Sequence, residues 1–445
     1  MTPSEAPPLI VPFERALLMA GGSADTFAQL YALAPAEALK ELLVSRKEAS
    51  LEVRLAGART AHLRRSPELL SAPAELLDRL ATERERGRKI YLVSHAEPEL
   101  AKAFAGAHPF FEEAVPLPEG ETLSATAPSL VKRFGEGGFD LLDVDQIRPP
   151  AKSLSPLFRA LRPHQWLKNL LVFLPLIAAH NGEPLAWFQG LAAFVCFCLV
   201  ASSVYVLNDL HDLAADRAHP RKRGRPFASG ELALGFGLLL APSLLAAGLT
   251  LALLALPLEF LLLLLGYFGL TLAYSLWLKR VAVLDILLLS GLFTWRVLAG
   301  GAATGIVLSP WLLAFSTFLF FALAAVKRHV EIADAAERGE DSQIMGRGYR
   351  TDDLPLIRTL SVTSGLLAVL VVALYVNSDQ VVTLYRSPEA LWLLCLLLLY
   401  WVTRIFLLAE RRQMHDDPVV FAAKDPVTYL VALLGGAVML LGSLA

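Results

Sequence analysis

Cysteine is scarce: there are three in 445 residues, Cys196, Cys198 and Cys395, each inside an apolar run. That excludes a disulfide framework and offers no zinc-ligand spacing, so all three read as core packing. Charge is also scarce, and unevenly spread. Residues 1–150 carry 17 basic and 22 acidic side chains, whereas residues 151–445 carry 23 and 20 over nearly twice the length. A net charge of −2 lacks the basic excess of a nucleic-acid binder. Repeats of fixed period and low-complexity segments are missing. Met1–Pro12 has neither the basic head nor the long apolar core of a secretory signal, so the N-terminal region is expected in the cytosol.

What the chain has in abundance is apolar length. Hydrophobic residues make up 55% and the mean hydropathy is +0.52, which excludes a disordered chain and argues against an ordinary soluble enzyme. Leu232–Leu258 runs for 27 residues without a charge, and a helix needs about 20 to cross a bilayer core. Nine spans are predicted: Leu167–Ala179, Leu185–Leu207, Leu232–Leu256, Pro257–Leu278, Val281–Ala303, Pro310–Val326, Leu354–Val376, Leu391–Leu408 and Val427–Leu444. Basic residues gather at alternate ends of these spans, at Arg162/Lys168, Arg217–Arg225, Lys279/Arg280, Lys327–Arg358 and Arg404–Lys424, while the opposite ends hold only Arg386. The positive-inside rule then puts the basic ends and the N-terminal region in the cytosol and the C-terminus outside, in a multi-pass cell (inner) membrane protein. Residues 1–150 read as an α/β domain with strands at Leu9–Val11 and Lys89–Val93 and helices at Ala36–Ser45 and Ala74–Arg86. Residues 151–157 read as a linker and 158–445 as the membrane domain.

One polar stretch carries chemistry. After the second span come Asn208, Asp209, Asp212, Asp216, His219, Pro220, Arg221, Lys222, Arg223, Arg225 and Pro226. If the helix continues, Asp209, Asp212 and Asp216 fall within about 60° of one another, with Asn208 beside them. Three carboxylates on one face repel unless a cation sits among them, and oxygen-only ligands suit Mg²⁺, which suits a diphosphate. The Arg and Lys that follow can take phosphate oxygens. A solvated loop obeying the positive-inside rule explains the basic residues but not the acidic ones. Asp285 and Arg296 share a face of the fifth span. Arg296, near mid-span, reads either as a buried cation bonded to carbonyls or a neighbouring acid, or as a pocket residue. Tyr205, Tyr274 and Trp277 read as interface anchors rather than stacking platforms.

Asn208–Asp216 resembles the NDxxDxxxD signature of the UbiA superfamily of intramembrane prenyltransferases, and the resemblance covers about residues 158–445. Arg162–Asn169, His219–Gly230, Tyr274–Asp285, Lys327-Arg328 with Glu331, and Arg347-Gly348-Tyr349 are similar to the branch that contains decaprenyl-phosphate phosphoribosyltransferase. The resemblance implies a nine-helix all-α membrane bundle. It implies Mg²⁺ held by Asn208, Asp209, Asp212 and Asp216, the three acids being catalytic. It also implies phosphoribosyl pyrophosphate as donor and a polyprenyl phosphate as acceptor. Lys168, Asn169, Lys222, Arg223, Arg225, Tyr274, Lys279, Asp285, Lys327 and Arg328 are the candidate substrate contacts. A homo-oligomer stays open. Many relatives that prenylate aromatic acceptors carry a second acidic motif of DxxxD type, where this chain has Asp285 alone. The alternatives are prenyl transfer from a polyprenyl diphosphate to an aromatic acceptor and, further off, a transporter.

The N-terminal domain is similar, at the level of pattern, to haloacid-dehalogenase-type phosphatases, through Leu9–Val11, Tyr91–His95 and Phe139–Asp145. In that family an Asp nucleophile follows the first strand. Here Pro12 stands there, so the resemblance implies a degenerate domain without that chemistry. A membrane-anchored phosphatase is disfavoured for the same reason.

Overall fold

In the computed structural model the short apolar runs of the N-terminal region form a parallel sheet. The described residues are 6–444 except 15, 17–25, 28, 32, 33, 35, 36, 39, 42–49, 66–73, 96, 119, 144–154, 219–221, 338–347, 380, 382–384, 415 and 416. Most of the expected helix Ala36–Ser45, Asp145, the first part of the expected linker, His219, Pro220, Arg221 and Arg347 lie outside them. Two compact units are present, residues 1–162 with 205–244, and residues 163–204 with 245–445.

In the first unit, strands β1 (Leu9–Pro12), β2 (Ile90–Ser94), β3 (Glu113–Pro116) and β4 (Asp140–Leu141) take the order β3-β2-β1-β4. Every pairing is parallel, with Leu9 opposite Ile90 and Asp140. Alternation along a strand explains the two cores on its faces. Leu9, Val11, Ile90 and Leu92 pack with Leu80, Leu100 and Phe104, whereas Ile10 and Val93 pack with Leu130 and Phe139. Helices α1 (Leu51–Arg65), α2 (Ala74–Glu85), α3 (Pro98–Ala107) and α4 (Pro128–Phe134) complete this part. Pro12 closes β1, where its missing N–H costs no ladder bond further along.

The remaining helices are α5 (Ser155–Leu161), α6 (Pro163–Trp166), α7 (Leu174–Ala178), α8 (Pro184–His211), α9 (Leu213–Ala218), α10 (Leu234–Ala255), α11 (Leu258–Leu276), α12 (Leu284–Thr304), α13 (Pro310–Glu337), α14 (Leu354–Val376), α15 (Trp392–Glu410), α16 (Pro418–Ala422) and α17 (Pro426–Leu444). Among the described residues eight of these, α8, α10–α15 and α17, are long and apolar enough to cross a membrane. They match the second to ninth expected spans closely. Their outward leucines confirm the solvent they are built for: Leu254 is 80% and Leu433 71% exposed, as lipid-facing helix surfaces require.

The expected first span differs. Leu167–Phe173 is a 3-10 helix, and α7 follows it for only five residues. Proline sets these breaks. Pro163 forces Arg162 out of the helical region, to φ 53, and Pro175 sits in the first turn of α7, where its missing N–H is tolerated. The 3-10 segment packs against α12 through a glycine. A Cβ at Gly300 would lie 2.1 Å from the Val172 carbonyl oxygen, so only glycine allows the approach. Helix α13 also departs from expectation, running past Val326 to Glu337. The charged residues beyond Val326 continue the helix in ion pairs, Lys327, Arg328 and His329 with acids and Asp334 and Glu337 with Arg412.

Candidate functional site

In the first unit the acidic motif lies where α8 gives way to α9. The junction falls at Asp212, but the i→i−4 ladder passes through it: Asp212 N donates to Asn208 O at 2.8 Å and Asp216 N to Asp212 O at 2.8 Å. The expected common face is therefore kept between Asp209 and Asp216, both 2% exposed. The Arg225 Nη1 atom donates to Asp209 Oδ1 at 3.2 Å and to Asp216 Oδ2 at 2.6 Å. Arg162 adds a second ion pair to Asp209 and lies 5.1 Å over the Tyr205 ring. Burial pushes the Asp216 carboxyl up, opposed by Arg225. Asn208 and Asp212 are half-buried. Lys222 is exposed, and Arg223 pairs with Asp78 of α2 at 3.5 Å. The Tyr31 ring meets His211 edge-on at 6.2 Å.

These donors fit a hard divalent cation in kind. They are anionic oxygens, and two carboxylates converge on one point that a cationic nitrogen reaches in both directions. Among the described residues no three His, Cys, Asp or Glu side chains gather around one point, so the protein offers a pair rather than a closed cage.

The second unit gathers the other expected residues, in three groups. The first centres on Asp285 of α12, which is fully buried. Arg328 of α13 pairs with both Asp285 oxygens and with Glu331, and the Tyr274 hydroxyl donates to Asp285 Oδ1 at 2.7 Å. Tyr274 is thus part of a polar network rather than an interface anchor, because Asp285 gives its hydroxyl an acceptor in the interior. Beside it Val283 takes φ 67, and its N donates to the Tyr349 hydroxyl at 2.9 Å. Burial pushes that phenol up to about 12. The second group joins Lys168 and Lys327, whose Nζ atoms reach the same Asp417 oxygen at 2.8 and 2.9 Å. Burial pushes the Asp417 carboxyl up, but the two ammoniums outweigh it and hold it well below the usual carboxylate range. In the third, Asn169 accepts from Arg296 Nε at 2.9 Å, while Arg296 also donates to Leu292 O at 2.5 Å and to the Tyr267 hydroxyl at 2.7 Å. Lys279 stands apart, half-exposed in a 3-10 turn.

A family model described as the UbiA prenyltransferase family matches residues 169–424, more than half of the chain. The chain belongs to the UbiA prenyltransferase family. It is a UbiA-family membrane transferase by that membership and by its apolar helices. An uncharacterised protein of Sinorhizobium fredii is 34% identical over 83% of this chain and 78% of its own length. The nodulation protein NoeC of Azorhizobium caulinodans is 36% identical over 62% of this chain and 89% of its own. A decaprenyl-phosphate phosphoribosyltransferase of Mycolicibacterium smegmatis is 39% identical over 48% of this chain and 69% of its own. The UbiA fold is shared with a UbiA homologue from Archaeoglobus fulgidus solved with GPP and Mg²⁺, at a TM-score of 0.50 and 16% identity over 64% of this chain and 99% of that one.

Sequence reasoning missed Asp417 in this UbiA chain. Its signal was an Asp directly before Pro418 at a helix start, where the Asp417 side chain caps α16 by accepting from Val419 N. It also left Arg162 as a topological charge, although Arg162 pairs with the first motif acid.

Proposed function

We propose that this UbiA-family transferase moves a phosphoribosyl group from phosphoribosyl pyrophosphate to a polyprenyl phosphate, with Mg²⁺, yielding a pentose-carrying lipid for the cell envelope. The 39% identity to a decaprenyl-phosphate phosphoribosyltransferase carries this reading. The site supports it in one further respect. Asp285, standing alone where a second acidic motif would lie, is committed to Arg328 and Tyr274. That leaves one carboxylate pair, Asp209 and Asp216, for a metal-bound diphosphate.

Asp209 and Asp216, with Asn208 and Asp212 beside them, would hold the ion, which supplies charge neutralisation to the departing pyrophosphate. Arg225 sits between the two acids and is placed to swing onto a phosphate oxygen, and Lys222 and Arg223 lie within three residues of it. The acceptor phosphate oxygen forms the new bond to the ribose anomeric carbon as the bond to pyrophosphate breaks. Fixed cations that meet the leaving group lower this barrier without reorganising. The basic helix ends are cytosolic in this reading, and so are residues 1–150.

The test incubates membranes containing the protein with labelled phosphoribosyl pyrophosphate, polyprenyl phosphate and Mg²⁺, and follows label into the lipid extract. Label should appear, and Asp212→Ala or Asp216→Ala should abolish it at normal expression. Transfer only from a polyprenyl diphosphate to an aromatic acid would replace this reading with aromatic prenylation.

A further inference from the structure

The interior of the second unit holds more positive charge than its own carboxylates balance. Arg404 has Asp425, and Arg328 has Asp285 and Glu331. Among the described residues Lys168 and Lys327 share Asp417 as their ion-pair partner and Arg296 has no carboxylate partner, while the Glu331 charge of the Arg328 pair also reaches Lys327, so five cations face four carboxylates and one positive charge is left over. Arg296 spends its bonds on neutral acceptors, the Asn169 amide, the Leu292 carbonyl and the Tyr267 hydroxyl. Lys168 Nζ and the Arg296 guanidinium carbon lie 5.6 and 5.7 Å from the same Phe293 ring. Lys168 therefore sits in the field of two other cations, Arg296 and Lys327. Uncompensated cations in an apolar interior are costly unless an anion joins them.

We propose that Lys168, Lys327 and Arg296 form a seat for a phosphate-monoester dianion, the head of an amphiphilic lipid, with Asp417 as the positioning residue that holds the two ammoniums together. The sign fits, because a phosphate monoester, at about −1.5 to −2 near neutral pH, supplies the anion that three cations sharing one paired carboxylate lack. Donors remain: each ammonium has three N–H groups and spends one on Asp417. The Lys327 side chain is 26% exposed against 9% for Lys168, which gives the seat an open side. Phe293, beside both Lys168 and Arg296, belongs to an apolar cluster with Val297, Phe320, Leu323 and Val326, a setting suited to an isoprenoid neck and unsuited to a ribose. This deepens the function proposed above by naming the acceptor's subsite, and it rests on that reading only for the identity of the lipid.

The test is calorimetry on the full chain in detergent, with farnesyl phosphate, farnesol and ribose 5-phosphate as probes and no donor present. Farnesyl phosphate should bind at least about tenfold tighter than either other probe. Lys327→Met leaves the Lys168–Asp417 pair in place, so it should fold. It should weaken farnesyl phosphate by about tenfold or more, the size of a lost charge-assisted bond. Lys327→Arg should restore most of the loss. Ribose 5-phosphate binding as tightly as farnesyl phosphate, or unchanged farnesyl phosphate affinity in Lys327→Met, overturns the proposal. With no donor in the titration, failure of the phosphoribosyl reaction bears only on the earlier reading.

Discussion

Removing Asp285 should destabilise the bundle more than any change at its lipid-facing surface. Asp285 is 0% exposed and Arg328 1%, so neither charge has water to fall back on. Asp285→Ala deletes the ion pair to Arg328 Nε, the 3.1 Å bond to Nη2 and the acceptor of Tyr274. Two charge-assisted bonds at about 1.5–3 kcal/mol each give about 3–6 kcal/mol. Glu331 stays on Arg328 Nη1 and keeps the cation partly compensated. The loss should therefore lie near about 3–4 kcal/mol, at the low end for a broken buried pair. The assay is SDS-induced unfolding in mixed micelles, comparing Asp285→Ala, Arg328→Met and the double variant Asp285→Leu/Arg328→Met. The double variant should regain most of the loss, because apolar side chains of like volume replace a buried pair at little cost. A double variant no more stable than Asp285→Ala, or Asp285→Ala as stable as wild type, would refute the argument.

Three further outcomes are expected. Asp417→Asn should flatten the acid limb of stability. The folded Asp417 carboxyl lies below its unfolded value near 4, so its contribution is in full force above that value and is lost only as pH falls towards the folded one, a region that pH-dependent unfolding can scan. Gly300→Ala should drive α12 away from the Val172 carbonyl and cost on the order of 1–3 kcal/mol, visible in the same unfolding assay, whereas Gly269→Ala, with open space at its Cβ, should not. Reporter fusions at Asn181 and Asn377 should read extracytoplasmic and those at Gly224 and Gly339 cytosolic; an inverted pattern would sink the orientation drawn from the basic helix ends.

The long helices were legible because a bilayer leaves little freedom: an uncharged run of twenty residues has one structure available, and Leu354–Val376 was placed to the residue. The convergence of Asp209 and Asp216 was legible from their spacing, since seven residues return a helix to nearly the same face. What filled the space between them was not. Arg225 reaches back from a separate turn, and no local period records that. The split of Leu167–Ala179 was half-legible. Pro175 was plain in the sequence, but the 3-10 geometry depends on Gly300, far along the chain. Asp417 was hidden because its two lysines come from positions 168 and 327, and sequence spacing carries nothing about such distant pairing.

Lys327, Arg328 and His329 are consecutive on α13, and they engage three different neighbours: Asp417 ahead of α16, Asp285 on α12 and Glu410 at the end of α15. Adjacent helical residues point about 100° apart, so the three contacts fix the azimuth of α13 as three bolts fix a flange. One residue inserted or deleted between Pro310 and Val326 would turn all three side chains away from their partners at once. The length of that apolar stretch is therefore quantised by this trio as well as by membrane thickness. During turnover, α13 can travel with α12 and α15 as one rigid piece but cannot roll against them. Drift in the sequence of α13 is correspondingly free in side-chain identity along its lipid face and closed to changes in length.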